Sequence, residues 1–230
     1  MGIQERKERE KEQRRDEILT AAQAVFFEKG LTNSTMDEIA EKAELSKGTL
    51  YLYYNSKEDL YLAVMTRGFD LLHQMCVEVV ERSTSPVEAI WNLSKAYFEF
   101  FEKQRNYFHM FYFLQSPTLH KQVSAEMMES CTQQTNKTWK LFIDLFQQGV
   151  NEGMFRKDIS PPEAAVILWS SANSILIRID NECERWKEQL NVDLVQVYFR
   201  SNALFLESVM TKKAATTFAP LMSNVPTATA

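Results

Sequence analysis

Lys47, Gly48, Thr49, Tyr51, Tyr53 and Lys57 crowd into one short stretch, and each is a residue type that suits contact with a duplex. A lysine in the first turn of a helix reaches a guanine edge or a phosphate. Gly48 has no side chain, so the backbone there can come close to a groove floor. Thr49 and Tyr51 lie on the flanks, where a hydroxyl meets a base edge or a phosphate oxygen. Tyr53 and Lys57 fall past the end of that helix, where backbone phosphates would pass. Ordinary packing is the alternative for Tyr51 or Tyr53, and Tyr54 is read as a packing residue.

Two short helices and the start of a third must position these side chains. Thr35 can cap the first, with Glu38 closing a capping box. Ile39, Ala40 and Ala43 give that helix one apolar face. Ser46 caps the second, which carries Leu50 and Tyr54 toward the core and leaves Gly48 and Leu52 farthest from it. Ser56 caps the third, with Glu58 and Asp59 in the first turn, where the helix dipole favours acids. The spacing is that of a helix-turn-helix. Upstream, Ile18, Leu19, Ala22, Val25 and Phe26 predict an amphipathic first helix that Gly30 ends.

Ser46-Lys47-Gly48-Thr49-Leu50-Tyr51-Leu52-Tyr53-Tyr54, followed by Ser56-Lys57-Glu58-Asp59-Leu60, resembles the recognition-helix signature of TetR-family transcriptional regulators. Ile39-Ala40-Glu41-Lys42-Ala43 and Phe27-Glu28-Lys29-Gly30 fit the same pattern, and the resemblance covers roughly residues 13–65. It implies DNA contacts from Thr35, Ser46, Lys47, Gly48, Thr49, Tyr51, Tyr53 and Lys57. Glu44 stands where the family usually has a turn glycine; a positive φ there would cost about 1 kcal/mol.

Composition narrows the fold. Six Gly and six Pro in 230 residues disfavour a turn-rich β architecture, and helical periods run nearly throughout. The fold is read as all-α: an N-terminal three-helix DNA-binding domain and a C-terminal helical ligand-binding and dimerisation domain, about nine helices in all. Residues 1–60 form the first domain, 61–212 the second, and 213–230 a disordered tail. The join lies inside a long helix running from Lys57 to about Arg82, able to act as a rigid lever. Residues 1–15 are charged and mixed in sign; they read either as a solvated helical extension or as an arm whose Arg14 and Arg15 touch DNA.

The charge balance sets conditions on binding. The chain carries a net −5, and residues 1–60 hold ten Lys and Arg against thirteen Asp and Glu. Affinity for DNA must then come from a few local cations, helix N-termini and neutral hydrogen bonds. A modest salt slope and a need for dimerisation follow. Cys76, Cys131 and Cys183 are widely spaced and odd in number, which fits a reduced cytoplasm. No apolar run approaches the roughly 20 residues of a membrane span, and no charged-then-apolar leader opens the chain.

Residues 87–115 are dense in aromatics and predict a helix apolar on more than one side, facing both a core and a cavity. Trp91, Phe98, Phe101, Phe108, Tyr112, Trp139 and Trp169 are the candidate ligand contacts, with His109 among the polar ones beside Asn92 and Gln115. A helix from Ser116-Pro117 to about Gly149 follows, and Ser160-Pro161-Pro162-Glu163 starts another. That helix, AAVILWSSANSILIRI, has no wet face, and the last one, about 192–210, repeats the theme. Ala165, Leu168, Ala172, Ile175, Leu194, Tyr198 and Phe205 are therefore the expected interface of a four-helix homodimer, the arrangement the resemblance also implies.

A cytoplasmic, ligand-released repressor reading a palindromic operator as a dimer is the leading expectation, with half-sites about 34 Å apart and a small apolar effector. An all-α enzyme or a helical scaffold acting on an apolar molecule or partner is the alternative. Against the enzyme, there is no G-x-S-x-G and no nucleophile beside a base, and the three histidines share no metal-ligand spacing. No cofactor or metal is expected.

Overall fold

A computed structural model describes residues 2–114 and 117–223, and its described residues form eleven helices. These are α1 Ile3–Asn33, α2 Met36–Lys42, α3 Lys47–Tyr51, α4 Lys57–Arg82, α5 Pro86–Lys103, α6 Arg105–Phe113, α7 Pro117–Gln122, α8 Ala125–Asn151, α9 Pro161–Leu190, α10 Leu194–Val209 and α11 Lys212–Ser223. Among the described residues the only β pairing is an isolated antiparallel bridge between Phe155 and Met210. The fold is all-α. No described helix is long and apolar enough to cross a membrane. Gln115, expected to offer a polar contact, Ser116, expected to start a helix, and the end of the tail from 224 lie outside the described residues.

The chain falls into two compact units, Met1–Leu71 with Arg105–Thr135, and Leu72–Gln104 with Asn136–Ala230. The sequence division at residue 60 differs from this, because α6, α7 and the start of α8 group with the N-terminal helices. Tyr107 explains part of that grouping. Its ring meets Phe27 edge-on with centroids 5.0 Å apart, and its hydroxyl donates to Gln23 Oε1 at 2.8 Å. Phe111 stacks on Phe69 at 4.1 Å, and the buried Asp59 carboxylate accepts the Ser124 N–H at 2.7 Å.

Within the first unit, Ile18, Ala22 and Phe26 of α1, Ile39 and Ala40 of α2, and Leu50 of α3 are buried. Gly30 interrupts α1 with φ 70, the left-handed value that glycine adopts freely. The N-terminal extension is helical and continuous with the rest of α1, and its exposed start is laced by Arg6–Glu10 and Arg14–Glu17 pairs.

Three expected elements differ. The aromatic run is two helices, broken at Gln104, which leaves helical geometry (φ −122, ψ 38). The expected helix to Gly149 is interrupted before Ala125, where the Ser124 hydroxyl accepts the Met127 N–H. The tail expected to be disordered forms α11, whose Ala214 is buried where the helix packs on α5.

In the second unit α5, α9 and α10 pack together, and the Tyr198 hydroxyl ties α10 to the Ser94 carbonyl of α5 at 2.8 Å. The residues expected at a dimer face take their places in this packing. Ala165, Leu168, Ala172, Leu194 and Tyr198 are buried within the single chain, and Ile175 and Phe205 are half-buried. The large apolar residues left outward are Val166, Ile167 and Leu190 on α9, with Val197 and Leu204 on α10. Helices that are apolar on both sides do not reveal by periodicity which side faces in.

Candidate nucleic-acid interface

The helix-turn-helix is assembled by two caps and one strained turn. Thr35 Oγ1 accepts the Glu38 N–H at 3.2 Å while Glu38 Oε2 accepts the Thr35 N–H at 2.9 Å, the expected capping box. Lys29 donates to Glu38 Oε1 at 2.7 Å, and this hydrogen bond, ahead of those from Thr35, holds the Glu38 carboxyl below the usual carboxylate range. Glu44 takes the turn with φ 56, at a cost of about 1–2 kcal/mol relative to glycine. Ser46 then caps α3: its Oγ accepts the Thr49 N–H at 3.0 Å. Burial of Leu50 and Tyr54 fixes which way α3 faces, and burial raises the Tyr54 hydroxyl above its ordinary pKa.

The outward side of α3 shows Gly48, Tyr51 and Leu52. A Cβ placed on Gly48 would meet only Ser46 Oγ, at 3.8 Å, so nothing among the described residues covers that backbone. Tyr51 is 46% exposed, and Leu52, the residue after the helix, is 83% exposed. Other expected contacts already have partners inside the chain. Lys47 Nζ lies 2.8 Å from Asp37 Oδ2, a hydrogen bond that raises the lysine pKa. Thr49 shares a hydroxyl–hydroxyl hydrogen bond with Ser46 at 2.8 Å, and Lys57 Nζ donates to the Ser34 carbonyl at 2.8 Å. Tyr53 is half-buried. Asp37 and Leu52 lie outside the expected contact set, although the helical wheel places Leu52 far from the core.

The expected ligand residues divide between the two units. Phe108, His109 and Tyr112 belong to α6 in the first unit, and His109 is exposed. Trp91, Phe98 and Phe101 serve α5 packing, with Phe98 set against Tyr198 and Phe199 at 5.5 and 5.2 Å. Trp169 does line a cavity in the second unit, stacked on Tyr97 at 4.6 Å and 5.8 Å from Trp139. Leu72, Cys76, Ile90, Leu93, Ser94, Phe142, Leu168, Ala172, Tyr198 and Asn202 complete its walls. The cavity holds about 20 Å³, room for about one water. No described group of His, Cys, Asp and Glu is placed to hold a metal ion.

An open glycine on a capped second helix, over a three-helix core, defines a helix-turn-helix DNA-binding protein. Residues 18–64 match the family model for bacterial regulatory proteins of the tetR family. Over 146 residues the chain is 31% identical to the HTH-type transcriptional repressor KstR2 of Mycolicibacterium smegmatis, covering 64% of this chain and 69% of that protein. It is 33% identical over 147 residues to KstR2 of Mycobacterium tuberculosis, covering 64% and 71%. The solved structure of FadR from Bacillus subtilis, in complex with stearoyl-CoA, shares the fold: TM-score 0.65 at 16% identity, over 84% of this chain and 98% of that one. The chain belongs to the TetR family of DNA-binding transcriptional regulators.

Proposed function

We propose that this regulator is a repressor that binds a palindromic operator as a two-fold dimer and leaves it when a small apolar effector enters the second unit. The observation that carries the DNA half is the uncovered backbone at Gly48, on a helix whose opposite side is locked by Leu50 and Tyr54. The relatives KstR2 of both mycobacterial species are named repressors, which supports repression over activation.

The dimer reading rests on α9 and α10. Val166, Ile167, Val197 and Leu204 are large apolar residues left facing out on two helices that pack on each other, and a two-fold partner would cover them. Two heads also compensate for a binding unit without a bulk basic patch.

The effector reading rests on the cavity. Its walls are apolar and aromatic with a few neutral polar groups, Ser94, Tyr97, Tyr198 and Asn202, and no Asp, Glu, Lys, Arg or His lines it. A cavity of one-water size must expand to admit a ligand, so the effector selects an opened state and shifts the population toward it. The FadR structure with stearoyl-CoA shows that a protein of this fold accepts a ligand with a long apolar chain. Helix α4 runs unbroken from the first unit into the second and is the element through which such a change would pass. Coupling of about 1–3 kcal/mol, the typical range, would weaken operator binding roughly 5- to 150-fold.

Sedimentation of the chain, alone and with a duplex enriched from a random library, tests the assembly. The reading expects a dimer in both, and a monomer without tight DNA binding for Ile167→Glu combined with Leu204→Glu. A wild-type monomer that binds the duplex one to one overturns it.

A further inference from the structure

We infer that Leu52 is a specificity-determining residue, set to read a thymine methyl on the floor of the operator's major groove. The inference rests on α3 being the helix that faces DNA, and it goes beyond that by naming the base. At 83% exposed, Leu52 stands out more than any other large apolar side chain among the described residues. It follows α3 directly, and its backbone is fixed: φ −73, ψ −18, with its N–H donating to the Thr49 carbonyl at 3.1 Å. The side chain is therefore aimed outward from a defined position.

Its surroundings favour one occupant. Lys47 is paired with Asp37 and Thr49 with Ser46, so α3 presents outward the bare backbone of Gly48, the Tyr51 ring and the Leu52 isobutyl group. Close approach at Gly48 brings Leu52 toward base edges rather than phosphates. Among the groups that base pairs show in the major groove, the thymine C5-methyl is the apolar one. Against the other edges a leucine would cover donors and acceptors and leave them unpaired, which disfavours those bases. Association through a second copy is assigned elsewhere, to the apolar face of α9 and α10, and so does not account for this side chain.

The test enriches duplexes from a random library on the wild-type chain and on Leu52→Ala, whose thermal midpoint should match the wild type because the side chain is in solvent. Each thymine of the enriched duplex is then replaced by deoxyuridine, which removes only the methyl. The expected result is one thymine per half-site where deoxyuridine weakens wild-type binding about fourfold, the factor carried by one methyl withdrawn from water. Leu52→Ala should be indifferent at that position, and its enriched motif should lose the preference there alone. An identical motif from both proteins, or wild-type binding insensitive to every methyl, overturns the inference while leaving DNA binding by α3 intact. Failure of the wild type to enrich any duplex overturns the DNA-facing role of α3, and this assignment with it.

Discussion

The Lys47 ammonium stands 2.8 Å from the Asp37 carboxylate, tethering the first residue of α3 to the first turn of α2. The pair joins the two helices of the helix-turn-helix at their solvent side, and it sets how much charge Lys47 can offer a phosphate. Asp37→Asn should free that charge. Binding at low salt should tighten, and the plot of log affinity against log salt should steepen by about one unit, the contribution of one extra phosphate contact. An exposed ion pair contributes little to folding, so the thermal midpoint should hold. An unchanged salt slope would place Lys47 away from the phosphates.

Gly68 gives a second expectation, concerning the core under α6. A Cβ there would lie 2.5 Å from Tyr107 Cδ1 and 2.8 Å from Cγ, inside van der Waals contact. Gly68→Ala should therefore destabilise by about 1–3 kcal/mol in urea unfolding. Tyr107→Ala alone loses the Phe27 contact and the Gln23 hydrogen bond, yet it removes the obstacle. The double variant should be more stable than the sum of the single losses allows. Strict additivity would show that the two residues do not meet.

Much of the DNA-facing region was legible in the sequence because its signals are local. Thr35, Glu38, Ser46 and Gly30 act through hydrogen bonds or backbone angles within a turn or two, and each is found in its expected role. Glu44 adopts the positive φ that the family's glycine position implied. What was not legible depends on tertiary choice. Ala165, Leu168 and Tyr198 share helices with Val166, Ile167 and Val197, and only packing on α5 decides which side is inside. Ser124 breaks a helix because Asp59, distant in sequence, accepts its N–H. The aromatic run could not say that Phe108 and Trp91 belong to different units.

The cysteines give an expectation about pH. Burial pushes the Cys76 thiol up to about 12 and Cys131 up to about 11, whereas Cys183 is half-exposed. The thiolate is the nucleophile, so iodoacetamide at pH 8 should modify Cys183 and spare the other two in the folded chain, as read by mass spectrometry. The same shifts have a sign for stability. Above about pH 9, the ordinary thiol value, the unfolded chain loses protons that the folded chain keeps, so stability is full below that pH and falls as pH rises above it. Rapid native labelling of Cys76 would contradict its burial.

The proposed DNA reading depends on the uncovered backbone at Gly48, and Gly48→Ala isolates it. A Cβ there meets only Ser46 Oγ at 3.8 Å, and alanine in a helix is favoured over glycine by roughly 0.5–1 kcal/mol. Unfolding and fluorescence-anisotropy titration on one preparation, using the duplex enriched on the wild type, separate the two effects. The variant should be at least as stable as the wild type and bind the duplex more weakly by about tenfold or more, a loss of about 1.4 kcal/mol. Undiminished affinity in the stable variant would contradict it.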